Sequence, residues 1–192
     1  SVTELTAIVE GRLGRETTHG HAHEGCRRQT RLAVAKLVGD GAAVGDQRLG
    51  RQAASDAGMP LFGAVVPGVI AGSSFHRKGI LLLALDPEVP RKIISLPHEK
   101  PGTLDSVVSE LTDFVETHAG EDGAGTLLLF VDAMKPDVAS LLDRLYLNIG
   151  DQVNYAGTAV GSETFKSVPC LFDNTSFTRC AVLAMLLPRH PG

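Results

Sequence analysis

The strongest constraint on this chain is that it runs through one order of features twice. Phe62-Gly63-Ala64-Val65-Val66-Pro67-Gly68 resembles Ala156-Gly157-Thr158-Ala159-Val160-Gly161, with one residue inserted. Further on, Ser74-Phe75-His76-Arg77 leads into ILLLAL, and Ser176-Phe177-Thr178-Arg179 leads into AVLAML. Two matches in the same order, each between the same kinds of predicted element, point to an internal duplication. The clearer half then serves as a template for the other.

The clearer half is the second. Thr103 is placed to N-cap a helix through about Thr117, with Leu104, Val107, Val108, Leu111, Phe114 and Val115 on one face. The run TLLLFV from Thr126 to Val131 predicts a strand covered on both faces. Pro136 and Asp137 suit a helix start, and Val138, Leu141, Leu142, Leu145 and Ile149 recur at helical spacing. Gly150-Asp151 stops that helix, and Val153 to Val160 returns as a strand. A hairpin-like pair follows: Cys170-Leu171-Phe172, a turn at Asp173-Asn174, and a strand from Arg179 to Leu187. In the first half, Leu32 to Val38, Leu61 to Val66 and Ile80 to Leu85 read as strands, and Asp46 to Ala57 as a helix. The expected fold is α/β: mixed sheet or sheets with packed helices, built from two duplicated strand-helix-strand-strand halves. The expected organisation is a single domain over 1–192, with halves at about 30–88 and 125–187. Between them lie Pro87, Pro90, Pro97 and Pro101, a short strand from Lys92 to Leu96, and the helix 103–117.

Composition narrows the function classes. Hydrophobic residues make up 43% and charged residues 21%, which suits a globular protein rather than a disordered one. No apolar run approaches the ~18–20 residues that cross a bilayer, so membrane insertion is not expected. The first residues carry no basic stretch followed by an apolar one, so no signal peptide is predicted. The net charge of −4 is spread rather than blocked, and Arg27, Arg28 and Arg31 form the one basic cluster, which argues against nucleic acid. Cys26, Cys170 and Cys180 lack metal-type spacing and read as reduced thiols of a cytoplasmic protein.

No complete catalytic constellation is present, and the chain is expected not to be an enzyme. Gly72-Ser73-Ser74-Phe75-His76 breaks the nucleophile-elbow pattern at its fifth position. Phosphate-loop, GxGxxG, HExxH and EF-hand patterns are missing. Asp86 and Asp132 end strands and suit turns or helix entry better than catalysis. His19, His21 and His23 alternate as strand metal ligands would, with Cys26 nearby, but their polar surroundings favour a solvated loop, and no metal is expected. Gly63 and Gly157 interrupt strands, where glycine serves a bulge, tight packing, or the close approach of a ligand.

The run from Thr126 to Glu163, followed by PCLFDNTSFTRCAVLAMLL, is similar to the N-terminal FIST domain, as is PLFGAVVPGVIAGSSFHRKGILLLAL. The resemblance covers roughly 32–187. It implies a sensory module of bacterial signalling proteins, also found in an F-box protein, that binds small molecules such as amino acids. It also implies a C-terminal FIST partner domain, on the same chain or another, which makes a protein-interaction module the alternative function. Some relatives are haem-containing gas sensors, a second alternative. His76 and His98 are the candidate axial ligands for it, but their charged neighbours favour solvent, so no cofactor is expected. On the sensory reading, the ligand sits where the strand ends Phe62 to Pro67 and Gly157 to Gly161 approach each other. Gly63, Pro67 and Gly157 give it backbone, Thr158 and Asn174 polar contacts, and Phe62 and Phe172 apolar walls.

Overall fold

The computed structural model describes residues 32–38 and 51–189, apart from 53, 57, 72, 78, 87, 97–102, 121–124, 136 and 163. The chain divides into two compact units, 1–87 with 172–176, and 88–171 with 177–192.

In the first unit, β1 (Leu32–Val38) runs parallel to β2 (Leu61–Val66) and antiparallel to β5 (Gly79–Leu85). Helical residues at 51–52 and 54–56 precede β2, within the stretch read as a helix. A parallel pair needs such a crossover, because a tight turn reverses the chain. Between β2 and β5, the strands β3 (Val69–Ala71) and β4 (Ser74–His76) form their own two-stranded sheet. The sequence reading missed that hairpin, whose strands are too short to show alternation. Strand β9 (Leu171–Asp173) pairs along the other side of β2.

The second unit holds a four-stranded sheet in the order β6-β11-β7-β8 and two helices. Here β7 (Thr126–Asp132) is parallel to β8 (Asn154–Val160) and antiparallel to β11 (Ala181–Leu187), which also pairs β6 (Arg91–Ser95). Helix α1 (Thr103–His118) precedes β7, and α2 (Val138–Ile149) crosses from β7 to β8, closed by a 3-10 turn at Gly150–Gln152. Leu127, Leu129 and Val131 of β7 join one apolar core with Val107, Leu111 and Phe114 of α1 and Leu141, Leu145 and Ile149 of α2. That set is the period-2 face of a strand meeting the helical stripes read from the sequence. β11 is buried at six of its seven positions, so its unbroken apolar run serves both faces of the sheet.

Two readings shift in detail. The hairpin-like pair expected of Cys170–Phe172 and Arg179–Leu187 does not form: β9 pairs with β10 (Phe177–Thr178), while the later strand starts at Ala181 as β11 and belongs to the other sheet. Cys180 takes a left-handed φ of 51° between β10 and β11, a conformation strands do not use. Asp137 stands at the N-cap of α2 but makes no side-chain cap bond there.

Candidate functional site

With their apolar faces in the core, α1 and α2 leave polar residues at helical spacing on the outside. Asp105, Ser109, Asp113, Thr112 and Glu116 of α1, with Arg144 and Asn148 of α2, line an open groove floored by Val108, with a cavity volume of about 340 Å³. Arg144 pairs with Asp105, both side chains being largely solvent-exposed. An exposed pair of this kind contributes only about 0–1 kcal/mol, so a ligand anion exchanges with Asp105 at little cost. Asn148 Nδ2 donates to the Arg144 carbonyl at 2.7 Å, and Thr112 Oγ1 to the Val108 carbonyl at 2.9 Å. The groove thus offers a guanidinium beside Asp105 in the first turn of α1, and the Asp113 and Glu116 carboxylates about two to three turns further along that helix.

The end of β7 carries a second polar arrangement. Asp132 is 1% exposed, and its two oxygens accept from different loops: Oδ1 from Met134 N–H at 2.9 Å, Oδ2 from Cys180 N–H at 2.7 Å. Leu96 N–H donates to the Cys180 carbonyl at 2.6 Å, so both backbone groups of the left-handed residue are tied. Burial, then the Asp132 charge and a hydrogen bond to it, push the buried Cys170 thiol up to about 12. A thiol so held is a proton donor and not a nucleophile. Asp132 therefore fastens a turn, as expected of a carboxylate at that strand end.

In the first unit, Asn174 fastens another. Its Oδ1 accepts from Leu61 N–H at 2.7 Å, and its Nδ2 donates to the Met59 carbonyl at 2.9 Å and to Ser55 Oγ at 3.3 Å. Arg51 Nε donates to the Asp173 carbonyl at 2.6 Å. Burial opposes the Asp173 charge, but hydrogen bonds from Ser176 and Thr175 outweigh it and hold its carboxyl below the usual range.

The residues expected at the ligand fall into two groups, one in each unit. In the first unit Phe62 is half-buried and Gly63 buried on β2, Pro67 is exposed just beyond it, and Phe172 is buried on β9 beside the engaged Asn174. In the second, Gly157 and Thr158 are exposed on β8. A Cβ at Gly157 would lie 2.2 Å from the Leu129 carbonyl oxygen, so close backbone approach across β7–β8 already accounts for that glycine. His19, His21, His23, Cys26, His98 and His190 lie outside the described residues, as does the His76 side chain. His118 closes α1 with Nδ1 at 2.8 Å from the Phe114 carbonyl. The groove was missed by sequence reasoning. Its signal was the i, i+4 series Asp105-Ser109-Asp113, Thr112-Glu116 and Arg144-Asn148, which is also what a solvated helix face looks like.

Mixed sheets, parallel crossovers and a charged groove over a helix pair define an α/β module. A family model, the FIST N domain, matches residues 41–191. The chain belongs to the FIST N domain family and is a sensory, signal-transduction domain, of a family not known for enzymes. No curated protein and no solved structure matches it significantly. No described helix is long and apolar enough to cross a membrane.

Proposed function

We propose that this chain senses an amino acid or a similar small metabolite, and that the ligand lies in the groove between α1 and α2. The observation that carries this reading is the presence of opposite charges along one concavity. An amino acid with a cationic side chain bears a carboxylate at one end and an amine at the other; the first meets Arg144 and the second meets Asp113 and Glu116 together, about two to three turns further along α1. The size of the groove suits such a ligand better than a nucleotide or haem. The chain acts by binding and not by catalysis. Its free Cys170 and Cys180 accord with the cytoplasm.

The strand-end residues remain a separate proposal. Pro67, Gly157 and Thr158 are exposed, whereas Asn174 and Phe172 serve the fold of the first unit, so Thr158→Ala is the informative test of that alternative location. Thermal-shift screening against amino acids and metabolites tests the function itself. A ligand at ~100 times its Kd adds about 2.7 kcal/mol to the stability of the protein. A family of related zwitterions raising Tm supports sensing; a flat response across a broad library refutes it.

The pairings support the proposed duplication as well. Gly63 faces Ala35, the fourth residue of β1, which faces Leu82, the fourth of β5. Gly157 faces Leu129, the fourth residue of β7, which faces Ala184, the fourth of β11. In this reading the two halves form one FIST N domain over 1–192. A second function, docking of a C-terminal FIST partner, is favoured by an apolar surface on α2. Leu142, Tyr146 and Leu147 are exposed there, with the Tyr146 ring 6.0 Å from that of Tyr155.

A further inference from the structure

Cys170 and Cys180 both belong to the second unit and stand on either side of the β9–β10 hairpin. Each is a free thiol; Cys170 is buried and Cys180 half-buried. They converge on one carboxylate. Cys180 N–H donates to Asp132 Oδ2 at 2.7 Å, and the Cys170 thiol hydrogen-bonds to the same side chain. Cys170 N–H also donates to the Thr178 carbonyl at 2.8 Å, which anchors it beside the chain two residues before Cys180. Burial leads the upward push on the Cys170 thiol, and the charges of Asp132 and Cys180 add to it, so the second sulfur lies within electrostatic reach.

Packing alone accounts for a buried cysteine, which behaves as a small hydrophobe. It does not account for Cys180. That residue meets solvent and takes a left-handed φ of 51°, which glycine or asparagine adopts at lower cost. Backbone strain of this kind persists where the surroundings enforce it, and it gathers at sites with chemistry. Here the bonds to Asp132 and Leu96 enforce it. Cysteine sensors, moreover, set an accessible thiol next to a second one that resolves it.

We propose that Cys170 and Cys180 are a peroxide-sensing dithiol that closes reversibly to a disulfide. Cys180 is the thiol that peroxide reaches. Its sulfur, having given its proton to solvent, attacks one peroxide oxygen. The O–O bond breaks, hydroxide leaves and takes up a proton as water, and Cys180 becomes a sulfenic acid. The Cys170 sulfur then attacks the Cys180 sulfur while its own proton passes to Asp132. The S–S bond forms, the S–O bond breaks, and the departing hydroxide takes the proton from Asp132 as a second water. The thiols lose two electrons and two protons in all, and peroxide becomes two waters. Left alone, the Cys170 thiol stays a proton donor; it reacts only with an adjacent sulfenic acid, with Asp132 to receive its proton. The proposal does not rest on the ligand groove, which neither cysteine lines.

Treating the full chain with a stoichiometric amount of hydrogen peroxide at neutral pH, then mapping its peptides without reduction, tests this. The expected product is lighter by two hydrogen atoms, carries a Cys170–Cys180 link within one chain, and returns to free thiols with dithiothreitol. Cys170→Ser is expected to stop at a sulfenic acid on Cys180 that dimedone labels. Cys180→Ser is expected to leave Cys170 unoxidised at the same dose. Far-UV circular dichroism checks that both variants fold; should either fail, the wild-type map decides alone. A wild type whose Cys170 stays a thiol while Cys180 is oxidised further overturns the proposal. So does a link from either cysteine to Cys26 in place of the pair, or no reaction of either thiol.

Discussion

Asp132 shows how one side chain holds a loop-rich strand end together. Asp132→Ala leaves the part-buried Met134 and Cys180 N–H groups without their acceptor, and the loss is expected to cost roughly 1–3 kcal/mol in all. Urea unfolding followed by circular dichroism reads that loss directly. The Cys170 thiol, pushed up to about 12, stays protonated in the folded protein while an unfolded cysteine ionises near pH 9. Its contribution to stability is complete below pH ~9 and is lost as pH rises toward about 12. Native Cys170 is therefore expected to resist a thiol reagent at pH 8 that labels it quickly once the protein is unfolded. Glycine matters most at position 157, where Gly157→Ala drives a Cβ onto the Leu129 carbonyl and costs about 1–3 kcal/mol. At this scale the sequence spoke only in part. That Asp132 would serve a turn was legible from its place after an apolar run, but its partner Cys180 lies far along the chain, and no local pattern announces such a bond.

Elements were more legible, because periodicity is a local signal. The helix stripes at Val107, Leu111 and Phe114 and at Leu141, Leu145 and Ile149 appear in the core as read. Leu145→Ala removes a fully buried side chain from the middle of that contact and is expected to cost about 2–5 kcal/mol in a denaturant titration. The β3–β4 hairpin and the break at Cys180 were not legible, since strands of two or three residues carry no period. The link between β9 and β2 was hidden for another reason: it joins Leu61 to Asn174 through a side-chain amide. Asn174→Ala, which strands the Leu61 N–H, is expected to cost roughly 1–3 kcal/mol. Asn174→Asp keeps the Leu61 acceptor and should recover part of that loss.

For the molecule as a whole, the α/β class was legible, because apolar strand runs alternate with helical stripes along the chain. The mixed sheets follow from it: the parallel β1–β2 and β7–β8 pairs each have an antiparallel strand on the other side of their first member. Function was less legible. The family similarity carried the sensory class, while the groove depends on how α1 and α2 face each other, which no single window of sequence contains. The central claim, that an amino-acid-like zwitterion binds between those helices, is tested most directly by calorimetric titration of wild type, Arg144→Ala and Glu116→Gln with the amino acids that raise Tm. Both substitutions lie on exposed helix positions, where changes away from special features usually shift stability by no more than about 0.5 kcal/mol, so folding is preserved. The account predicts saturable binding to wild type, weakened at least about tenfold by each substitution, since one charge-assisted contact contributes on the order of 1.5–3 kcal/mol. Binding of equal strength in all three proteins contradicts it.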